Sequence, residues 1–150
     1  MLRQRVITAL ILAAALIATL LFAPYPVQAM LFALVAAAGA WEWAALVGSK
    51  GVLSRVFYAA IILLLCGALW VSLSLNGADA ALHARPWLAA TAFLWSAMLV
   101  GLKYYAVGRG AWRCTWLRAV MGWLMLTATW LAVIVCLTLI NGPFVVFLLI

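Results

Sequence analysis

Residues 27–51 read VQAMLFALVAAAGAWEWAALVGSKG. The run from Val27 to Val47 is apolar almost throughout, with one acid, Glu42, set between Trp41 and Trp43. It ends at Gly48-Ser49-Lys50-Gly51. A helix rises about 1.5 Å per residue, so about 20 residues cross a hydrocarbon core. This run is long enough. Alanine and Gly39 crowd its middle, and small residues let helix backbones approach closely in lipid. The stretch therefore predicts a membrane helix packed centrally in a bundle.

Composition points the same way. The chain is 72% hydrophobic and 7% charged, with a mean hydropathy of +1.31. Soluble domains are about half apolar and a quarter charged. This chain has too little polar surface to cover a water-soluble globule. A net charge of +7 would suggest nucleic acid in a soluble protein. In a membrane protein it reports cytoplasmic loops, so nucleic acid is discounted as a partner.

Four further apolar runs are expected to span: Val6 to Ala23, Val56 to Leu75, Trp87 to Leu102 and Ala119 to Ile140. Pro24-Tyr25-Pro26, Asn76-Gly77, Pro86, Lys103 and Asn141-Gly142-Pro143 punctuate them. Helices are required because bare backbone in lipid must be satisfied internally. Barrel strands would alternate polar with apolar, and these runs do not. The expected fold is an all-α polytopic transmembrane bundle, with five full spanning helices plus the start of a sixth. No repeat or linker divides it, so residues 1–150 read as a single membrane domain.

The basic residues predict orientation. Numbering the connections alternately puts Arg3, Arg5, Lys50, Arg55, Lys103, Arg109, Arg113 and Arg118 on one side and Arg85 on the other. Cytoplasmic loops carry the excess of Lys and Arg, so the N-terminus is expected in the cytoplasm. The loop from Asn76 to Pro86, with Asp79 and His83, then faces outward. Met1-Leu2-Arg3-Gln4-Arg5, the apolar run and Val27-Gln28-Ala29 also resemble a signal peptide. The apolar run exceeds a usual signal core, and an uncleaved first helix is the expectation.

Glu42 falls near the cytoplasmic end of its helix. Trp41 and Trp43 suit the headgroup depth there. An ionisable residue in a span is a functional candidate, but an interfacial ion pair with Arg3, Arg5, Lys50 or Arg55 is the reading preferred here. The other charged feature is KYYAVGRGAWRCTWLR, residues 103–118. On a helix Arg109 and Arg113 would share one face, and Trp112 and Trp116 a neighbouring one. With Arg118 they form a candidate site for an anionic lipid headgroup; the plainer reading is that these charges only set topology. Trp95 and Trp130 lie near mid-segment and are expected to pack rather than sit in the belt.

Catalytic chemistry is hard to find. No phosphate-binding loop, nucleophile elbow or HExxH motif occurs, and the two acids, Glu42 and Asp79, belong near opposite faces. No metal site is expected: magnesium phosphate chemistry wants carboxylates beside the ion. Cys66, Cys114 and Cys136 form no CxxC pair, so neither a disulfide framework nor a zinc site is supported. After Pro143 the chain reads FVVFLLI, residues 144–150, about 10 Å of helix. A sequence truncated inside its sixth helix is the expectation.

Two stretches carry a resemblance. LRQRVITALIL, residues 2–12, resembles the basic opening of bacterial phosphatidate cytidylyltransferases, and GAWEWAALVG, residues 39–48, is similar to the Trp-Glu-Trp segment ending their second helix. The resemblance covers the first half or so of such an enzyme. It implies an inner-membrane enzyme of phospholipid biosynthesis, a nucleotidyltransferase that joins CTP to phosphatidate with Mg2+, giving CDP-diacylglycerol and pyrophosphate. The family's catalytic signature lies in its C-terminal half, so no catalytic residue carries over, and the chain alone is expected to be inactive and to bind no Mg2+ itself. Glu42 carries over only as a matched position. Phosphatidate, CTP, membrane lipids and the missing C-terminal half are the implied partners; a homo-oligomer is compatible with the sequence. A transporter or channel subunit, or a non-enzymatic scaffold, are the alternatives. Transporters place polar groups or broken helices at mid-membrane, which this sequence does not clearly do.

Overall fold

Pro24, in extended conformation (φ −66°, ψ 151°), turns the chain into the helix that the opening stretch predicts. Pro26 then sits in that helix's first turn, where a missing N–H costs nothing. The helix stops where Gly48 takes a left-handed φ of 103°. There the amides of Gly48 and Ser49 close onto the carbonyls of Ala45 and Ala44, at 3.1 and 3.0 Å. Glycine reaches that φ without a Cβ penalty and so terminates helices in this way.

The computed structural model describes residues 2–49, 51–75, 80–103 and 114–138. Among them run α1 (Leu2–Phe22), α2 (Tyr25–Val47), α3 (Val52–Ser72), α4 (Ala80–Lys103) and α5 (Thr115–Leu137). The all-α architecture agrees with expectation. The number of spans does not. Only α2, α3 and α5 are long and apolar enough to cross a membrane, rather than five full spans with a sixth begun. In α1 the described apolar helix is the shorter Ala13–Phe22, about 15 Å long against a core of about 30 Å. In α4, His83, Arg85 and Pro86 occupy the first two turns and Lys103 the last residue. The residues between them are too few and too mixed with Thr91, Ser96 and Gly101. The expected sixth segment lies outside the described residues.

The helix boundary at Pro86 also moves. His83, Arg85 and Pro86 lie inside α4 rather than in a loop. Pro86 removes the donor for the Leu82 carbonyl, and the helix carries that defect near its start instead of ending there.

α2 is central. It packs against α3 on one side and α5 on the other, while α5 also supports α4 and only the end of α1 reaches α2. Ala29, Ala36, Ala40 and Ala44 are buried along one face of α2, at steps of seven, four and four. An added Cβ on Gly39 would meet Leu126 Cδ2 at 3.2 Å, so α2 and α5 do approach closely. Against this thin face pack Tyr58, Ile62 and Cys66 of α3 and Trp130, Leu131, Ile134 and Val135 of α5. Lipid tails are as apolar as leucine, so these contacts stabilise by packing rather than by escape from water. Phe57, Leu64 and Phe93 face outward. Trp130 is buried as expected, whereas Trp95 is 45% exposed and does not pack inside the chain.

Candidate functional site

At one end of the bundle the C-terminus of α2 meets the N-termini of α3 and α5. Three aromatic side chains lock it. The Trp43 indole N–H donates to the Arg118 carbonyl at 2.9 Å. The Tyr58 hydroxyl donates to the Ala119 carbonyl at 2.6 Å. Tyr58 also stacks on Trp123, with ring centroids 5.0 Å apart and 25° between planes. All of this depends on Gly122, which is buried under them. A Cβ there would collide with the Trp43 ring and the Tyr58 hydroxyl.

Two arginines flank the lock. Arg118 donates from one terminal nitrogen to the Leu46 carbonyl at 3.4 Å and from the other to Thr115 Oγ1 at 3.5 Å. Its Nε is buried without a partner. Arg55 donates from Nε to the Ser49 carbonyl at 3.2 Å, and its guanidinium carbon lies 5.9 Å from the Trp41 ring centroid. Both cations thus sit at the carbonyl end of α2, where the helix dipole is negative. Lys103 closes α4. Arg85 is near the other end of α4.

The expected site residues divide as follows. Arg118 is half-buried in the lock. Arg109 and Arg113 lie outside the described residues, as do Lys50, Asp79 and the side chains of Arg3 and Arg5. Trp41 and Trp43 are half-buried and Glu42 is exposed beside them. Arg55, one of the partners expected for Glu42, has the Ser49 carbonyl and the Trp41 ring as its own partners. Among the described residues no group of three His, Cys, Asp or Glu side chains could hold a metal ion. Cys66 is buried, while Cys114 is exposed and Cys136 half-buried, all as free thiols.

Sequence reasoning missed Gly122, Tyr58 and Trp123. A lone glycine in an apolar helix is as ordinary as alanine until its neighbours across the interface are known. The one signal in the sequence is the presence of Tyr58 and Trp123 within a few residues of basic residues Arg55 and Arg118.

The helices and their basic, tryptophan-lined end define a multi-pass membrane helix bundle. The chain is 35% identical over 130 residues to a phosphatidate cytidylyltransferase of Pseudomonas aeruginosa. The match covers 87% of this chain and 45% of that relative's length. No family model matches the chain. No solved structure matches it either.

Proposed function

We propose that the chain is the N-terminal membrane portion of an enzyme of the phosphatidate cytidylyltransferase kind. The observation that carries this reading is the 35% identity extending over 87% of the chain. In that role the chain brings lipid, not catalytic groups. Its basic end is cytoplasmic, and Arg109, Arg113 and Arg118 attract the anionic head of phosphatidate. Such arginines contribute about 1 kcal/mol each near a charged membrane surface. Trp41, Glu42 and Trp43 hold α2 at headgroup depth. CTP and magnesium belong to groups supplied by the remainder of such an enzyme, in an inner membrane.

A chimera tests this. The 130 matching residues replace their counterpart in the Pseudomonas enzyme, and CTP-dependent formation of CDP-diacylglycerol is measured. The chimera is expected to turn over. Arg109→Gln with Arg113→Gln is expected to raise KM for phosphatidate while kcat holds. A folded, membrane-inserted chimera without activity would overturn the assignment. An unchanged KM would remove the arginines from it.

A further inference from the structure

Arg55 and Arg118 hold equivalent places: each is the fourth residue of its helix, α3 or α5. Neither helix has an acidic residue in its first turn or a side-chain cap at its start. A helix N-terminus carries about half a positive charge and a C-terminus about half a negative one. The end of α2 therefore balances only a fraction of what faces it: two helix starts of opposite sign and two full cations. Glu42, the one acid among the described residues, accepts from neither arginine. What holds the guanidiniums is neutral. Their carbonyl partners, Ser49 and Leu46, are three residues apart in the turn that Gly48 closes. These bonds, at 3.2 and 3.4 Å, are longer than the roughly 2.7–2.9 Å of a guanidinium on an anion. Donors are also left over. The two terminal nitrogens of Arg55 bond nothing among the described residues, and the Nε of Arg118 is buried without a partner.

We propose that Arg55, together with Arg118, receives the head of a phosphate monoester and selects it over a phosphodiester. This rests on the reading of the basic end as the place where the head of phosphatidate arrives, and adds Arg55 to it as the residue that sets specificity. A monoester carries about 1.5 to 2 negative charges at pH 7, whereas a diester such as phosphatidylglycerol carries a single one. Two guanidiniums match the first and exceed the second. Each can turn a fork of N–H donors onto phosphate oxygens. A monoester also presents one more terminal oxygen than a diester does. Arg55 is set for this before a ligand arrives. Its Nε is tied to the Ser49 carbonyl, and its guanidinium carbon lies 5.9 Å from the Trp41 ring centroid. Less side-chain freedom is then lost on binding.

The test uses the whole chain, purified in detergent and mixed with equal amounts of phosphatidate and phosphatidylglycerol of identical acyl chains. Native mass spectrometry counts the lipids retained. Phosphatidate is expected to be preferred about tenfold, and Arg55→Gln to lower that preference about fivefold, the effect of one cation facing a lipid head. Arg55→Lys keeps the charge but not the fork. It is expected to lose part of the preference, and it stands in if Arg55→Gln does not fold. Lys103→Gln removes the same charge from the end of α4 and is expected to leave the preference unchanged. A second arm adds glycerol 3-phosphate, a similar head without tails. Displacement of phosphatidate assigns the pair to monoesters in water; retention assigns it to those in the membrane. Equal retention of the two lipids by the unaltered chain would overturn the proposal. So would a loss in Lys103→Gln as large as that in Arg55→Gln. Neither result touches the chimera, whose turnover tests the family reading by itself.

Discussion

Gly122 is the residue on which the basic end turns. Its missing side chain is the space that Trp43 and Tyr58 occupy. Gly122→Ala raises helix propensity, a gain of up to about 1 kcal/mol. It also forces two rings off their positions, and overpacking costs about 1–3 kcal/mol. The balance is expected to be destabilising, read as a lower midpoint of thermal unfolding in detergent. Trp43→Phe keeps most of the packing and loses the N–H to the Arg118 carbonyl. Interhelical hydrogen bonds in membranes average about 0.6 kcal/mol, so this variant should fall by less than Gly122→Ala. Thr127 points the other way. Its hydroxyl is buried without a partner. Thr127→Val keeps the shape and removes the unpaired group, which is neutral or stabilising. A drop of the midpoint in that variant would mean the hydroxyl has a partner after all.

At the scale of elements, the described tie between α1 and the bundle centres on Gln28, with Leu16 and Leu20 packed against the core. Gln28 of α2 is buried and donates from Nε2 to the carbonyls of Leu20 at 3.1 Å and Ala23 at 3.0 Å, with Thr19 at 3.4 Å. The end of a helix leaves carbonyls such as that of Leu20 without backbone partners, while the Thr19 carbonyl also accepts from the Ala23 amide at 3.0 Å. With Leu20 buried alongside, this is the main tie between α1 and the bundle. Gln28→Leu retains bulk and removes the donor. Faster hydrogen exchange over residues 17–24, with α3 and α5 unchanged, is the expected result. At the far end of α2's partner, Trp130 donates to the Ala29 carbonyl at 3.1 Å. Together with Trp43 it fastens α5 to α2 at both ends, so α2 and α5 are expected to exchange slowly and together.

For the whole molecule the decisive property is sidedness. Arg55 and Arg118 gather at the carbonyl end of α2, and Arg85 and Lys103 lie toward opposite ends of α4. Cytoplasmic loops hold the excess of Lys and Arg, so the exposed thiol of Cys114 should resist a membrane-impermeant maleimide in intact spheroplasts and react after permeabilisation. A cysteine placed by His83→Cys should react from outside in both. The reverse pattern would invert the bundle and remove the cytoplasmic headgroup role with it.

The all-α character and the ends of α2 at Pro24 and Gly48 were legible in the sequence because each follows from composition along a single helix. So was the central packing of α2, since small residues such as alanine and glycine permit close approach. The sequence overcounted the spans at α1 and α4: it read Pro86 as a boundary, whereas neighbouring packing carries a proline inside a helix. Gly122 as a socket, the crossed donors from Trp43 and Tyr58 and the Gln28 clasp were decided only by tertiary structure. Each depends on which helix faces which, and a chain of similar apolar segments does not state that order along its length.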